Sequence, residues 1–225
     1  TDSKKDERIL TNKNSKAIDL KDSVEISGEN FKYNRSLNII SASKNVIIED
    51  KAQDHKLYSD FIENLKNDEK IYTEGPTTSF IKSKYKIKSK DMVFFRDKQK
   101  LISNEQTTIT DKLNLYNLSR FVFLIDDSEL IGENIVITTN YNLPKSDTYF
   151  FKDANINLDN YNFIASNTKI KIHKDIFDIS DNDPRLLGVS SNKKGDITKV
   201  YKGVFTSCKE TDNCPPWSIQ ANTIK

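Results

Sequence analysis

The chain has 225 residues, 36% of them hydrophobic and 30% charged, and 35 Lys and Arg nearly balance 33 Asp and Glu, for a net charge of +2. So even a balance argues against a nucleic-acid partner. The low apolar share suits thin strands with one wet face better than a thick α/β core. No apolar run reaches the length of a membrane-spanning helix, and the most apolar stretch, Phe-Val-Phe-Leu-Ile at 121–125, is strand-sized.

In chain order, residues 1–16 are polar, with one small apolar pair, Ile9-Leu10. They read as a flexible leader or a loosely attached first strand. No signal peptide opens the chain at Thr1, so it reads as a mature form, a fragment or a cytoplasmic protein. From Ala17 to the C-terminus the pattern is that of one β domain, residues 17–225, with a distinct Cys/Trp segment at 203–225. Val24 and Ile26 alternate with Ser23, Glu25 and Ser27; Ile87 alternates with Lys86 and Lys88; Ile156 and Leu158 flank Asn157; Ile170 and Ile172 flank Lys171. Period-2 alternation predicts half-buried strands, and no window has a comparable 3.6-residue period, so little helix is expected. With 6 Gly and 5 Pro, turns must fall to Asn, Asp and Lys. Asn34-Arg35, Asn67-Asp68, Asp97-Lys98 and Asp159-Asn160 stand where hairpins need them.

A unit repeats along the chain. Asp60-Phe-Ile62 and Lys70-Ile71 recur 31 residues later as Asp91-Met-Val93 and Leu101-Ile102, and 62 residues further on as Asp153-Ala-Asn155 and Phe163-Ile164. A shorter copy relates Val24-Glu-Ile26 to Val46-Ile-Ile48. Each unit reads as an Asp, a strand, a polar turn and a second strand. One apolar face per unit cannot be buried alone, so the copies must stack, as antiparallel strands with their apolar sides inward. Unpaired edges at the ends of such a stack either need protection or dock another sheet.

Chemistry-bearing motifs are sparse. There is no phosphate-binding glycine loop and no nucleophile motif, so no enzymatic activity, catalytic residue or cofactor is expected. His55 and His173 read as isolated surface residues. Asp126-Asp127 and the Asp181/Asp183 pair read as loop carboxylates. A zinc site is disfavoured by two cysteines and two distant histidines. Cys208 and Cys214, six positions apart, could close a small disulfide ring in an oxidising compartment; two free surface thiols is the alternative. Lys82, Lys84, Lys86, Lys88 and Lys90 fall on one side of a strand. They form either a solvated outer face or a strip facing anionic headgroups, with the former favoured. Trp217, after Pro215-Pro216, reads as a plug at the end of the last sheet.

Several segments resemble the OstA-type family of lipopolysaccharide-transport β-jelly-rolls. They are Lys44-Asn-Val-Ile-Ile48, Ser59-Asp-Phe-Ile62 and Gly132-Glu-Asn-Ile-Val-Ile137. The C-terminal segment, Gly203-Val-Phe-Thr-Ser-Cys208 followed by Pro216-Trp-Ser-Ile-Gln-Ala221, resembles the end of the periplasmic domain in the LptD branch of that family. The resemblance implies an open, stacked antiparallel β-jelly-roll (a β-taco) at the periplasmic face of a Gram-negative outer membrane. It implies a module that accepts lipopolysaccharide from an LptA-like bridge, joined by edge-strand addition, and passes it to an outer-membrane barrel with its plug lipoprotein. Most repeat turns here lack the family's glycine. Some relatives pair the residue like Cys208 with a distant barrel cysteine instead of a near neighbour.

On that reading the lipid-binding residues are Val24, Ile26, Val46, Ile48, Phe61, Ile87, Met92, Phe94, Ile135, Ile137, Ile156, Ile170 and Ile172. The same residues also serve as plain core, and in an open jelly-roll the two roles overlap. A structural β-solenoid, as scaffold or adhesin-type passenger, is the competing function. Its repeats are ordinarily more uniform than the 22 and 31 seen here.

Overall fold

In a computed structural model of the chain, residues 7–19, 24–177, 182–211 and 217–225 are described. Among them the structure is antiparallel β throughout, and the only helical turns are short 3-10 segments at Lys66–Asp68 and Lys174–Phe177. The chain divides into two compact units, one reaching to Ile109 and the other beginning at Thr110.

The first unit contains β1 (Glu7–Asp19), β2 (Val24–Asn34), β3 (Ile39–Asp50), β4 (His55–Leu65) and β5 (Lys70–Ile81), each paired with the next. Four shorter strands follow: β6 (Tyr85–Lys90), β7 (Val93–Phe95), β8 (Lys100–Ser103) and β9 (Thr107–Thr110). β5 carries two of them side by side, β6 along Pro76–Ile81 and β7 along Lys70–Tyr72. β8 then pairs with β7, and β9 with β6. In the second unit β10 (Asn114–Leu118) and β11 (Arg120–Leu124) both lie on β12 (Glu129–Thr139). The meander resumes through β13 (Thr148–Asn157), β14 (Phe163–Lys171), β15 (Arg185–Lys194), β16 (Ile197–Thr206) and β17 (Ile219–Ile224).

Within each unit the long strands are bent at one level, so each contributes to two arms. The bend is built from left-handed residues: Lys44 and Asn45 in β3, Gly75 in β5, Asp91 between β6 and β7, Asn134 in β12, Asn167 in β14 and Lys202 in β16. Register slips at the same level, between Ser27 and Asn30 and between Ser43 and Val46, mark bulges. Bulges add twist and bend a strand locally. Asn and Asp tolerate the left-handed region better than other side chains with a Cβ, so a chain with few glycines folds its sheet on Asn and Asp. Side chains then brace the bend. Asp91 Oδ1 accepts the amide of Gly75 at 2.7 Å, and Asn134 Nδ2 donates to Ser119 Oγ at 3.0 Å.

The repeated sequence unit follows from this geometry. Asp60, Asp91 and Asp153 all fall at the bend. Each is followed by a half-strand, a turn and the next half-strand. The four turns read from Asn and Asp all occur where expected.

Small hydroxyls line the inside of the bend, where the arms are too close for large side chains. In the first unit Thr77 Oγ1 donates to Thr73 Oγ1 at 2.8 Å, Thr107 Oγ1 to Ser89 Oγ at 2.7 Å, and Ser103 Oγ to the Lys90 carbonyl at 2.7 Å. In the second, Thr168 and Ser191 meet at 2.6 Å. All six are buried. Some of them also bond backbone groups at the break: Ser103 Oγ donates to the Lys90 carbonyl, and Thr73 Oγ1 accepts the Met92 amide at 2.9 Å; a buried group left unsatisfied there would cost about 1–3 kcal/mol.

Candidate apolar site between the arms

Along each strand most inward residues are apolar, and register aligns them into rows. One row of the first unit runs Tyr33, Ile40, Asn64, Ile71, Phe94, Leu101. In the second unit one arm carries Tyr116, Ile137, Tyr149, Ile170, Leu186, Phe205, Ile219. The other carries Phe123, Leu130, Ile156, Phe163. Fully burying one such aliphatic side chain is worth about 1.5–3 kcal/mol.

Of the lining residues expected from alternation, Val24, Ile26, Val46, Ile48, Ile87, Met92, Phe94, Ile135, Ile137, Ile156 and Ile170 are all buried on this inner face. Two are placed otherwise. Phe61 is half-buried on the opposite face, and its neighbour Ile62 is the inward residue. The cause is the register slip between Ser59 and Phe61, which shifts the alternation by one position. Ile172 lies just past the end of β14, half-buried, its amide bonded to the Pro184 carbonyl.

The arms of each unit meet through aromatic contacts. In the first, His55 and Phe94 stack edge to face at 4.6 Å beside a void of about 10 Å³ lined by Val24, Ile48, Leu57 and Ile71 together with Asp50 and Arg96. His55 was expected at the surface, but it is 5% exposed. Its Nε2 lies 2.7 Å from Ser79 Oγ, and burial lowers its pKa to about 4. An isolated histidine among polar neighbours gives no sign of this. Its inward phase along β4 does, since it shares parity with Leu57 and Ser59.

In the second unit Phe163 lies 4.9 Å from Phe151 and 6.0 Å from Tyr149, across the gap between the arms. Beside them is a cleft of about 270 Å³ whose walls include Tyr116, Ile137, Tyr149, Ile156 and Phe163. Asn114 and Asp111 hold the Tyr116 hydroxyl: Asn114 Nδ2 donates to it at 3.2 Å and it donates to Asp111 Oδ2 at 3.1 Å. Burial, with the Asp111 charge, pushes its pKa well above the ordinary tyrosine value. The cleft thus combines these apolar side chains with polar ones, among them Asn114, Thr139, Asn140, Asp147 and Lys193. That is the usual make-up of a site for an elongated apolar ligand with a polar head. Alternation alone pointed to Ile137 and Ile156; the aromatic members have weaker signals, because Tyr and Phe also populate wet faces.

Outside the inner face, His173 Nδ1 and amide both lie 2.9 Å from Asp147 Oδ1. Glu210 is clasped by Lys169 at 2.6 Å and Lys171 at 2.5 Å, and these two ammoniums hold its pKa down to about 2. Asp183 pairs with Lys174 at 2.8 Å. Asp181 lies outside the described residues. No group of three or more metal-ligating side chains occurs among the described residues. Trp217, expected as a plug, is 45% exposed. Its carbonyl accepts from Thr206 Oγ1 at 2.9 Å, and its ring lies 5.9 Å from Phe205. Cys208 is buried and is bonded to no cysteine among the described residues; Cys214, its expected partner, lies outside them.

No protein-family model matches the chain, and no curated protein matches it. Among solved structures it is similar to LptH from Pseudomonas aeruginosa, the LptA-homologous periplasmic component of the conserved lipopolysaccharide transport device. That similarity has a TM-score of 0.34 at 15% identity, over 53% of this chain and 76% of the other.

Proposed function

We propose that this protein is a lipid-transfer module that holds the acyl chains of lipopolysaccharide between the arms of its bent sheet. The observation that carries the reading is the apolar lining of the second unit. Ile137 and Ile156 come from different arms, face the same cleft and are joined there by Tyr149 and Phe163. Acyl chains need a continuous apolar face and no hydrogen bonds, and a row of inward aliphatic side chains on paired strands supplies it. The sequence resemblance of residues 203–221 to the LptD branch extends the reading. Lipopolysaccharide would arrive from an LptA-like bridge joined at a strand edge and leave toward an outer-membrane barrel and its plug lipoprotein, at the periplasmic face of the outer membrane. In that setting a disulfide between Cys208 and Cys214 would fix the loop ahead of Trp217.

Site-specific photo-crosslinking tests the reading. A photoreactive residue at Ile137 or Ile156 is expected to capture lipopolysaccharide. One at Asn155, beside Ile156 but on the outer face, is not. Equal labelling of Ile156 and Asn155, or none at either inner position, would overturn it.

A further inference from the structure

We infer that the outer face of β4, β5 and β6 is a docking surface for an anionic lipid bilayer. Lys86, Lys88 and Lys90 project from this face of β6, with Lys84 at its head, while Tyr85 and Ile87 point inward. Lys82, expected in the same row, sits instead in the hairpin turn with a left-handed backbone. Beside the lysines, in register, stand Phe80 of β5 and Tyr58 of β4, two large aromatic side chains each 36% exposed. Their rings meet edge to face at 5.8 Å. Lys86 Nζ lies 5.4 Å from the Phe80 centroid and Lys56 Nζ 5.7 Å from that of Tyr58.

A row of lysines commonly protects a sheet edge from pairing with another chain. That account does not apply here, because β6 is paired on both sides, by β5 and by β9. Among the described residues, Lys86, Lys88 and Lys90 have no carboxylate within ion-pair distance. The acid in the row, Glu49, is 3.8 Å from Lys56. The face therefore presents three ammoniums without an ion-pair partner among the described residues, about 7 Å apart along a strand, beside half-exposed rings, with the exposed acids Asp60 and Glu74 farther along β4 and β5. Aromatic rings settle at the level of lipid headgroups, and lysines near them gain from anionic lipids. A flat strand face suits a flat partner better than a ligand that needs enclosure. The surface lies on the opposite side of the sheet from the apolar lining, so the inference does not depend on lipid transfer.

Vesicle flotation of the whole chain at low salt tests it. The probe vesicles contain two parts phosphatidylcholine to one part phosphatidylglycerol, and no lipopolysaccharide. The protein is expected to float with them, not with pure phosphatidylcholine vesicles, and to be released at high salt. Replacing Lys86, Lys88 and Lys90 together by Gln is expected to lower partitioning by more than tenfold, at about fivefold per lysine. Replacing Lys193, Lys194 and Lys199 of the second unit by Gln removes the same charge and is expected to leave partitioning unchanged. Phe80→Ser is expected to weaken binding at unchanged charge. Unchanged circular dichroism shows that the variants fold. Equal loss from both lysine triples, no flotation with anionic vesicles, or capture of a soluble phosphate polymer by the wild type without flotation would each overturn the assignment.

Discussion

His55 and Phe94 lie 4.6 Å apart, edge to face, although one stands at the start of β4 and the other in β7, on the opposite arm of the first unit. The contact holds the arms together among aliphatic neighbours (Val24, Ile48, Leu57, Ile71) and polar ones (Asp50, Ser79, Arg96), and it fixes a titratable ring in the interior.

That placement makes the stability of the first unit depend on pH. The folded pKa of His55 is lowered to about 4 by burial, against 6.5 unfolded. Between these values the unfolded chain binds a proton that the folded one does not. Stability is therefore complete above pH 6.5 and declines as pH falls toward 4, by about 3 kcal/mol in all for so buried a group. Urea melts across this range are expected to show the decline in the wild type. In His55→Gln the difference between pH 7 and pH 4.5 should shrink by about 2 kcal/mol or more. An identical pH profile in the two proteins would mean that His55 is not the titrating group.

The bend in the second unit depends on Asn134, whose φ is 49° in the interior of β12. Asn134→Gly keeps the left-handed backbone and loses the bond to Ser119, so a cost under about 1 kcal/mol is expected. Asn134→Val places a β-branched residue there, and about 2 kcal/mol or more is expected. Thermal unfolding of the pair distinguishes backbone strain from the lost side-chain bond.

Gly188 of β15 permits a close approach between strands. A Cβ there would lie 2.2 Å from Val200 Cγ1 and 2.9 Å from the Tyr201 carbonyl oxygen. Gly188→Ala should cost about 1–3 kcal/mol by overpacking. Adding Val200→Ala removes the first clash but not the second, so chemical denaturation of the double variant should show coupling between the two sites instead of simple addition.

The slip in β4 can be read with a probe. A photoreactive side chain at Ile62 is expected to capture bound acyl chains and one at Phe61 to capture little, on the proposed lipid-transfer reading, because Ile62 is inward and Phe61 is not. Greater labelling from Phe61 would place the alternation back in the register that the bare sequence suggests.

Alternation of Val24 with Ile26, of Ile135 with Ile137 and of Ile170 with its neighbours was enough to establish the strands and most of their inward faces. The side-chain period of two belongs to the local backbone, and so does the preference of Asn34, Asn67, Asp97 and Asp159 for turns. The repeat of Asp60, Asp91 and Asp153 was equally legible, though not its purpose. Tertiary structure decided the rest. A bulge moves every following residue to the other face, so Ile62 and not Phe61 lines the interior. Whether a histidine is wet or dry depends on what the opposite arm places over it, so His55 became a buried neutral ring. The cleft at Ile137, Ile156 and Phe163 exists because a left-handed Asn134 and Asn167 fold two distant half-strands together. That long-range approach is set by the energy of closing the sheet on itself, and no local pattern encodes it.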